Sequence, residues 1–115
     1  MKSVLVVEDE PGLCELVCTV LEDAGFDVPF VNSGEAALET AQSQSFELAI
    51  IDVHLPGMGG LETMQRLKQI NPNLKTILMS GSPIESTEAD GTYLKGQQPI
   101  KELVAMVSRL VAEAA

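Results

Sequence analysis

Aromatic and histidine side chains are scarce in this chain of 115 residues. Its aromatic residues are Phe26, Phe30, Phe46 and Tyr93, it has no tryptophan, and His54 is its one histidine. Because 45% of the residues are hydrophobic, the core must be largely aliphatic. A cofactor site that depends on stacked rings has few partners here. The length predicts one domain, residues 1–115.

Basic residues are also few, since seven Lys and Arg stand against seventeen Asp and Glu and give a formal net charge of −10. A field of that sign repels nucleic-acid backbones and anionic lipid surfaces, so we expect no direct binding to nucleic acids or membranes. The segment after Met1 is a short apolar run that soon meets two acids, unlike a signal peptide or a membrane span. We therefore expect a cytoplasmic protein.

The two cysteines, Cys14 and Cys18, are too few for a disulfide framework. They stand four residues apart in a predicted helix, a spacing that fits disulfide distances poorly. Neither histidine nor further thiols lie nearby in the sequence to complete a zinc site. We predict reduced thiols, with one or both packed in the core.

Strands and helices alternate along the chain. Apolar runs at 3–7, 26–31, 46–51 and 76–79 predict strands, and residues 93–94 leave room for a brief fifth strand. Apolar residues at helical spacing follow the first, second, third and fifth strands, at positions 13, 16, 17, 20 and 21, then 37, 38 and 41, then 61, 64 and 67, then 103, 106, 107, 110 and 111. This order predicts an α/β, doubly wound fold: a five-stranded parallel sheet flanked by helices on both faces.

Polar and helix-breaking residues mark the boundaries between these elements. Asn32 and Ser33 are candidate N-caps of the second helix. The segment 81–92 is mostly polar and contains glycine and proline, and only residues 85–89 have the composition for a short helix. We therefore expect the fourth helix to be short or irregular.

Three carboxylates and a hydroxyl follow directly on the predicted strands. Glu8 and Asp9 come after the first strand, Asp52 ends the third and Ser80 ends the fourth. Because the carboxyl ends of parallel strands share one edge of the sheet, we expect these side chains to lie together. Each acid alone would more often be a solvated loop residue, but clustered carboxylates repel one another unless a cation lies among them. Oxygen donors without thiols or imidazoles fit Mg²⁺.

These residues stand in segments that resemble the receiver domains of bacterial response regulators, the proteins of two-component signal transduction. The resemblance covers nearly the whole chain, and it is carried by VLVVEDEP, LAIIDVHLPGMGGLE, TILMSGS and ELVAMV. The second of these segments is highly specific, because the phosphoacceptor aspartate of the family is followed by just such a turn. The resemblance implies a flavodoxin-like fold with five parallel strands and five helices.

The resemblance also implies a role for each candidate residue. Asp52 would be the nucleophile that takes a phosphoryl group from a sensor histidine kinase, a phosphotransfer protein or a small donor such as acetyl phosphate. Glu8, Asp9, Asp52 and the backbone carbonyl of His54 would hold Mg²⁺, and we expect the His54 side chain to lie in solvent. Ser80 would donate its hydroxyl to a phosphoryl oxygen. Such a domain is not a classical enzyme: it catalyses its own phosphorylation and dephosphorylation, and signals by conformational change to a protein that the sequence does not identify.

The sequence departs from the family pattern after the fifth strand. Receivers of this kind carry a Lys-Pro pair there, with an aromatic or similar residue three positions before the lysine. This chain reads Tyr93-Leu94-Lys95-Gly96-Gln97-Gln98-Pro99. Aligning Pro99 puts Gln98 in the place of the lysine, whereas aligning Lys95 loses the proline and puts Tyr93 one position late. Both alignments stay open, and we favour Lys95 because an amide cannot replace a charge beside a phosphoryl group. Pro99 also permits a cis bond after Gln98.

Two functional classes remain open. One is an active phosphoacceptor, either a single-domain regulator or a fragment of a longer one, and the intact acids favour it. The other is a pseudo-receiver that keeps the fold and binds a protein without phosphotransfer, and the departures near Lys95 and Gln98 favour that one. A phosphatase, nucleotide-binding or flavin-binding domain on a similar sheet is disfavoured, because no glycine-rich phosphate loop follows the first strand.

Overall fold

The structure is a computed structural model that describes residues 2–85 and 88–113. Five parallel strands form one sheet in the order β2-β1-β3-β4-β5. The elements in chain order are β1 (Val4–Val7), α1 (Pro11–Asp23), β2 (Phe30–Val31), α2 (Gly34–Ala41), β3 (Leu48–Asp52), α3 (Gly60–Ile70), β4 (Lys75–Ser80), β5 (Gly91–Leu94) and α4 (Ile100–Glu113). The predicted α/β fold is confirmed. None of the described helices combines the length and hydrophobicity that a membrane span needs.

The sheet separates two aliphatic cores. Alternate residues of one strand point to opposite faces, so β1, β3 and β4 each contribute to both cores. The face under α1 and α4 includes Val4, Val6, Ile50, Ile77 and Met79. The face under α2 and α3 includes Leu5, Val7, Ala49, Ile51 and Leu78. Every residue of β1 and β3 is buried, as their continuous apolar runs predicted.

The second strand is shorter than predicted, because regular pairing covers 30–31 and not 26–31. Residues before it run alongside β1 through an isolated bridge between Ser3 and Asp27. Pro29 has no N–H to donate, and only its carbonyl joins the pairing by accepting from Val6 N–H at 3.0 Å. The proline therefore interrupts the strand that hydrophobicity alone predicted.

The family resemblance implied five helices, one of them between β4 and β5. That prediction is wrong for the described residues of this connection. Four helices occur in the described part of the chain, and residues 81–85 and 88–90 form neither helix nor strand. The expected short or irregular element is therefore irregular where it is described. The helix considered at 85–89 falls partly on Ser86 and Thr87, which lie outside the described residues. The segment offers few apolar side chains for a helix to bury against the sheet.

The chain returns tightly over the end of β3. Gly60, the first residue of α3, lies so close that a Cβ there would overlap the carbonyl oxygen of Asp52. Its N–H donates to the carbonyl of Val53 at 3.0 Å. Only glycine fits this approach, which fixes the backbone that carries Asp52.

Both cysteines are buried on the inner side of α1 as free thiols, as predicted. Burial raises the pKa of the Cys18 thiol to about 12, and the neighbouring Cys14 contributes to the rise. Burial also raises the pKa of Cys14. The two side chains therefore behave as small apolar groups of the core.

Candidate functional site

Three carboxylates converge at the carboxyl ends of β1 and β3. Oxygen atoms of Glu8, Asp9 and Asp52 all lie within 4.8 Å of one another. Glu8 and Asp52 are buried, with exposed fractions of 0% and 3%, whereas Asp9 is exposed. The two strands are neighbours with Val7 opposite Ile51, so the residues that follow these two, Glu8 and Asp52, end side by side. The predicted convergence of the acids is therefore present.

Lys95 reaches this cluster from the turn after β5. Its Nζ lies 2.7 Å from Oδ2 of Asp52 and 3.2 Å from Oε1 of Glu8. Gln98 points elsewhere, and its Oε1 accepts a hydrogen bond from Leu94 N–H at 2.7 Å. Of the two residues considered for the lysine position, Lys95 is the one at the acids. The bond between Gln98 and Pro99 is trans.

Nitrogen donors orient the two buried carboxylates. The N–H of His54 donates to Oδ1 of Asp52 at 3.0 Å. The N–H of Glu10 donates to Oε2 of Glu8, also at 3.0 Å. Each buried acid is therefore held by the backbone two residues further along its own loop, and its direction is set by the local chain.

Burial and charge act differently on the two buried acids. Burial raises the pKa of Glu8, and the neighbouring Asp52 adds to the rise. Burial acts the same way on Asp52, but the hydrogen bonds from Lys95 and from His54 N–H outweigh it and lower the pKa. Burial opposes the charge of Lys95, yet its two carboxylate partners raise its pKa. Lys95 and Asp52 therefore form the ionised pair, and a charge on Glu8 is less well compensated.

Glu8 provides the test of whether the cluster suits a metal. Its Oε1 is buried and accepts no hydrogen bond from any described residue. The ammonium of Lys95 lies within ion-pair distance of that oxygen, but the hydrogen-bond geometry is poor. Burial still raises the pKa of Glu8 despite this ion pair, so Lys95 offsets only part of the cost of burying the charge, and a metal cation beside Oε1 would offset more. Three carboxylates without thiol or imidazole fit a hard cation such as Mg²⁺.

Ser80 and His54 lie at the same edge of the sheet. Ser80 ends β4 with 2% of its surface exposed, and its Oγ accepts a hydrogen bond from Ser82 N–H at 3.2 Å. Met79 is the register partner of Asp52, so Ser80 lies one residue beyond that pair. His54 is exposed, as expected, and the use of its carbonyl as a metal ligand stays a prediction.

Comparison with known proteins decides the family. The sequence model of the response regulator receiver domain matches residues 4–97. The chain belongs to this family.

Two curated relatives of this receiver domain differ in length. It is 28% identical over 120 residues to the response regulator receiver protein CpdR of Brucella abortus (strain 2308). That alignment covers 99% of this chain and 100% of CpdR. It is 36% identical over 78 residues to the probable transcriptional regulatory protein TcrX of Mycobacterium tuberculosis. That alignment covers 68% of this chain and 33% of TcrX. The receiver domain thus spans all of one relative and about a third of another.

Solved structures share the fold. The response regulator TrrA of Thermotoga maritima, in complex with Mg²⁺-BeF, superposes with a TM-score of 0.87 at 31% identity and covers 96% of this chain and 99% of that one. TrrA in complex with the histidine kinase ThkA gives a TM-score of 0.86 at 32% identity, with 96% and 98% covered. The flavodoxin-like architecture of the receiver domain is therefore shown.

Two polar residues of this receiver domain have contacts that the sequence did not predict. Asn32 and Ser33 are both candidate caps of α2 by sequence, and Ser33 is the cap in the structure, where its Oγ accepts from Ala36 N–H at 3.1 Å. Asn32 instead donates its Nδ2 to the carbonyl of Glu8 at 3.0 Å. One alignment of the sequence puts Gln98 in the place of the lysine, but its side chain bonds to Leu94 N–H in the turn that carries Lys95. Asn32 and Gln98 both lie within a few residues of the end of a strand, β2 and β5. That position was the one sequence feature that could have indicated a role near the site.

Proposed function

We propose that this receiver domain accepts a phosphoryl group on Asp52 in a reaction that depends on Mg²⁺. The observation that carries the proposal is the cluster of Glu8, Asp9 and Asp52 with the ammonium of Lys95 at 2.7 Å from the nucleophile. The complex of TrrA with Mg²⁺-BeF and its complex with the kinase ThkA support a metal and a sensor histidine kinase as partners. A phosphotransfer protein is an equivalent donor.

In the proposed reaction, an oxygen of Asp52 attacks phosphorus and the bond from phosphorus to the donor breaks as the new P–O bond forms. The leaving group is the imidazole of a phosphohistidine, which takes up a proton, or acetate when acetyl phosphate is the donor. Lys95 holds Asp52 ionised and then shifts its ammonium to a phosphoryl oxygen. Ser80, whose hydroxyl hydrogen is not used in its contact with Ser82, donates to another phosphoryl oxygen.

Glu8, Asp9, Asp52 and the carbonyl of His54 would hold the metal. Bound Mg²⁺ supplies positive charge that screens the carboxylate from the incoming phosphoryl group. Glu8 is suited to this role, since its buried Oε1 accepts no well-formed hydrogen bond from the described residues and has only the ion pair with Lys95. The proposed output is a conformational change that a protein target recognises, because attaching a phosphoryl group favours a state in which Ser80 and its loop turn inward.

A pseudo-receiver that binds a protein without phosphotransfer is the second candidate. The lack of a helix in the described residues between β4 and β5 favours it, because that region differs from the resemblance. The acid cluster argues for the active receiver, because buried carboxylates destabilise the fold and a protein that only binds a partner does not need them. The active receiver is the better supported of the two.

The test is the intact mass of the protein after incubation with Mg²⁺ and acetyl phosphate. A gain of one phosphoryl group is expected, and it should disappear with EDTA or in Asp52→Asn, which keeps the size of the side chain. A folded protein that gains nothing from acetyl phosphate or from a histidine kinase would overturn the proposal in favour of the pseudo-receiver.

A further inference from the structure

The turn that carries Lys95, residues 94–98, is built around Gln98, and we call it the lysine turn. The N–H of Gln98 donates to the carbonyl of Leu94 at 3.0 Å, and the side-chain Oε1 of Gln98 accepts from Leu94 N–H at 2.7 Å. Gln98 therefore bonds to both backbone groups of Leu94, and the N–H of Gln97 also donates to the Leu94 carbonyl at 3.3 Å. Gly96 has a φ of 77°, which lets the chain reverse within so few residues.

The peptide unit that joins Leu94 to Lys95 is held at both of its polar ends. Its carbonyl accepts from Gln98, and its N–H, which belongs to Lys95, donates to the carbonyl of Ser80 at 2.8 Å. Because the peptide is planar, holding both ends fixes the orientation of its plane and restricts the directions in which the Lys95 side chain can leave the backbone. That direction matters, because β4 separates β5 from β3 and the long side chain must reach across it.

Gln98 is itself anchored on two sides. The hydroxyl of Tyr93 donates to the carbonyl of Gln98 at 2.7 Å, and the Tyr93 ring is buried in the core under α1 and α4. The side-chain Nε2 of Gln98 donates to Oε1 of Glu102 in α4 at 3.2 Å. The lysine turn is therefore tied to the core by Tyr93 and to the last helix by Glu102.

We propose that Gln98 is a positioning residue for Lys95. It holds the lysine turn so that the ammonium lies at Asp52 and Glu8 instead of in solvent. Gln98 has no hydrogen bond to either acid among the described contacts, so it acts through Lys95. This inference rests on the proposed function in one respect, namely that Lys95 stabilises the transferring phosphoryl group.

The kinetic test is a double-mutant cycle on the rate of Asp52 phosphorylation by acetyl phosphate with Mg²⁺. Gln98→Ala is expected to slow the reaction about tenfold, since a small displacement of a catalytic group has a large effect on rate. Gln97→Ala is the matched control and should not change the rate, because that exposed side chain makes no hydrogen bond to the described residues. In a Lys95→Ala background, Gln98→Ala should cause no further loss. An equal loss in both backgrounds would overturn the proposal.

A spectroscopic test reports the position of Lys95 without phosphorylation. The ¹H–¹⁵N signal of its ammonium is identified by its disappearance in Lys95→Ala. We expect this signal to shift in Gln98→Ala and to stay in place in Gln97→Ala. An unchanged signal in folded Gln98→Ala protein would contradict the positioning role. If Lys95→Ala phosphorylates at the normal rate while Gln98→Ala still moves the signal, the proposed role of Lys95 fails and the positioning stands.

Tyr93→Phe keeps the test decisive if Gln98→Ala does not fold. It retains the buried ring and removes only the hydrogen bond to the Gln98 carbonyl. The expected result is about threefold slower phosphorylation, in line with the loss of one hydrogen bond, and a shift of the ammonium signal in the same direction. A normal rate together with an unshifted signal would overturn the proposal.

Discussion

The two sides of the site are held in place by different means. The acids follow β1 and β3, in which every residue is buried between two covered faces. Lys95 follows β5, an edge strand with an exposed residue, next to a segment that forms no helix where it is described. The position of Asp52, the proposed nucleophile, is therefore set by the core of the fold. The position of its cationic partner depends on a few local hydrogen bonds, which makes that side easier to alter without unfolding the domain.

The largest expected effect tests how tightly the chain is packed at the end of β3, which carries Asp52. Gly60→Ala places a Cβ against the carbonyl of Asp52, so the backbone at the end of β3 must move. We expect the free energy of unfolding, measured by urea denaturation, to fall by about 3 kcal/mol, the upper range for overpacking. Gly81→Ala is the control, because a Cβ there meets nothing within 4 Å and should leave stability nearly unchanged. Equal stability of the two variants would show that the β3 end is not rigidly packed.

The second-largest effect tests the role of Lys95, which follows the edge strand β5. Lys95→Ala removes the cation beside Asp52 and should slow phosphorylation by acetyl phosphate about 100-fold, the usual effect of losing one charge-stabilising donor. Lys101→Ala changes an exposed lysine in α4 and serves as the control for net charge. If both variants react at similar rates, the ion pair between Lys95 and Asp52 has no part in the reaction.

The buried acids could be predicted from local sequence patterns, whereas Lys95 could only be favoured over Gln98 because of its charge. An apolar run followed directly by an acid is a local pattern, so Glu8 and Asp52 could be placed at the sheet edge from their spacing alone. The reach of Lys95 depends on hydrogen bonds of Gln98 that no periodicity reveals. The second strand was predicted too long because hydrophobicity does not register the missing N–H of Pro29.

Metal binding should have a smaller effect on stability, and this effect should depend on the acids of the site. Mg²⁺ at ten times its dissociation constant should stabilise the folded domain by about 1.4 kcal/mol, seen as a higher Tm. Asp9→Asn should remove this gain with little change in metal-free stability, because Asp9 is exposed. Asp23→Asn, an exposed acid in α1, should keep it. A gain that persists in Asp9→Asn would place the metal elsewhere.

The smallest expected effect concerns the segment between β4 and β5. Lys68 in α3 donates to the carbonyl of Glu88 at 2.9 Å and lies 3.3 Å from Oδ2 of Asp90, both at the surface. Lys68→Met should lower the free energy of unfolding by only about 0.5 kcal/mol, as is typical of partly exposed ion pairs. Gln69→Met is the neighbouring control. A change in phosphorylation rate for Lys68→Met alone would show that this segment is coupled to the site.

The proposal that Asp52 accepts the phosphoryl group is tested by locating the modified residue. After reaction with Mg²⁺ and acetyl phosphate, borohydride reduction converts an aspartyl phosphate to homoserine, which tandem mass spectrometry of the digested protein locates. We expect homoserine at position 52 and at no other acid, and none when Mg²⁺ is removed. Homoserine at another position, or none in a folded protein that a histidine kinase also fails to phosphorylate, would contradict it.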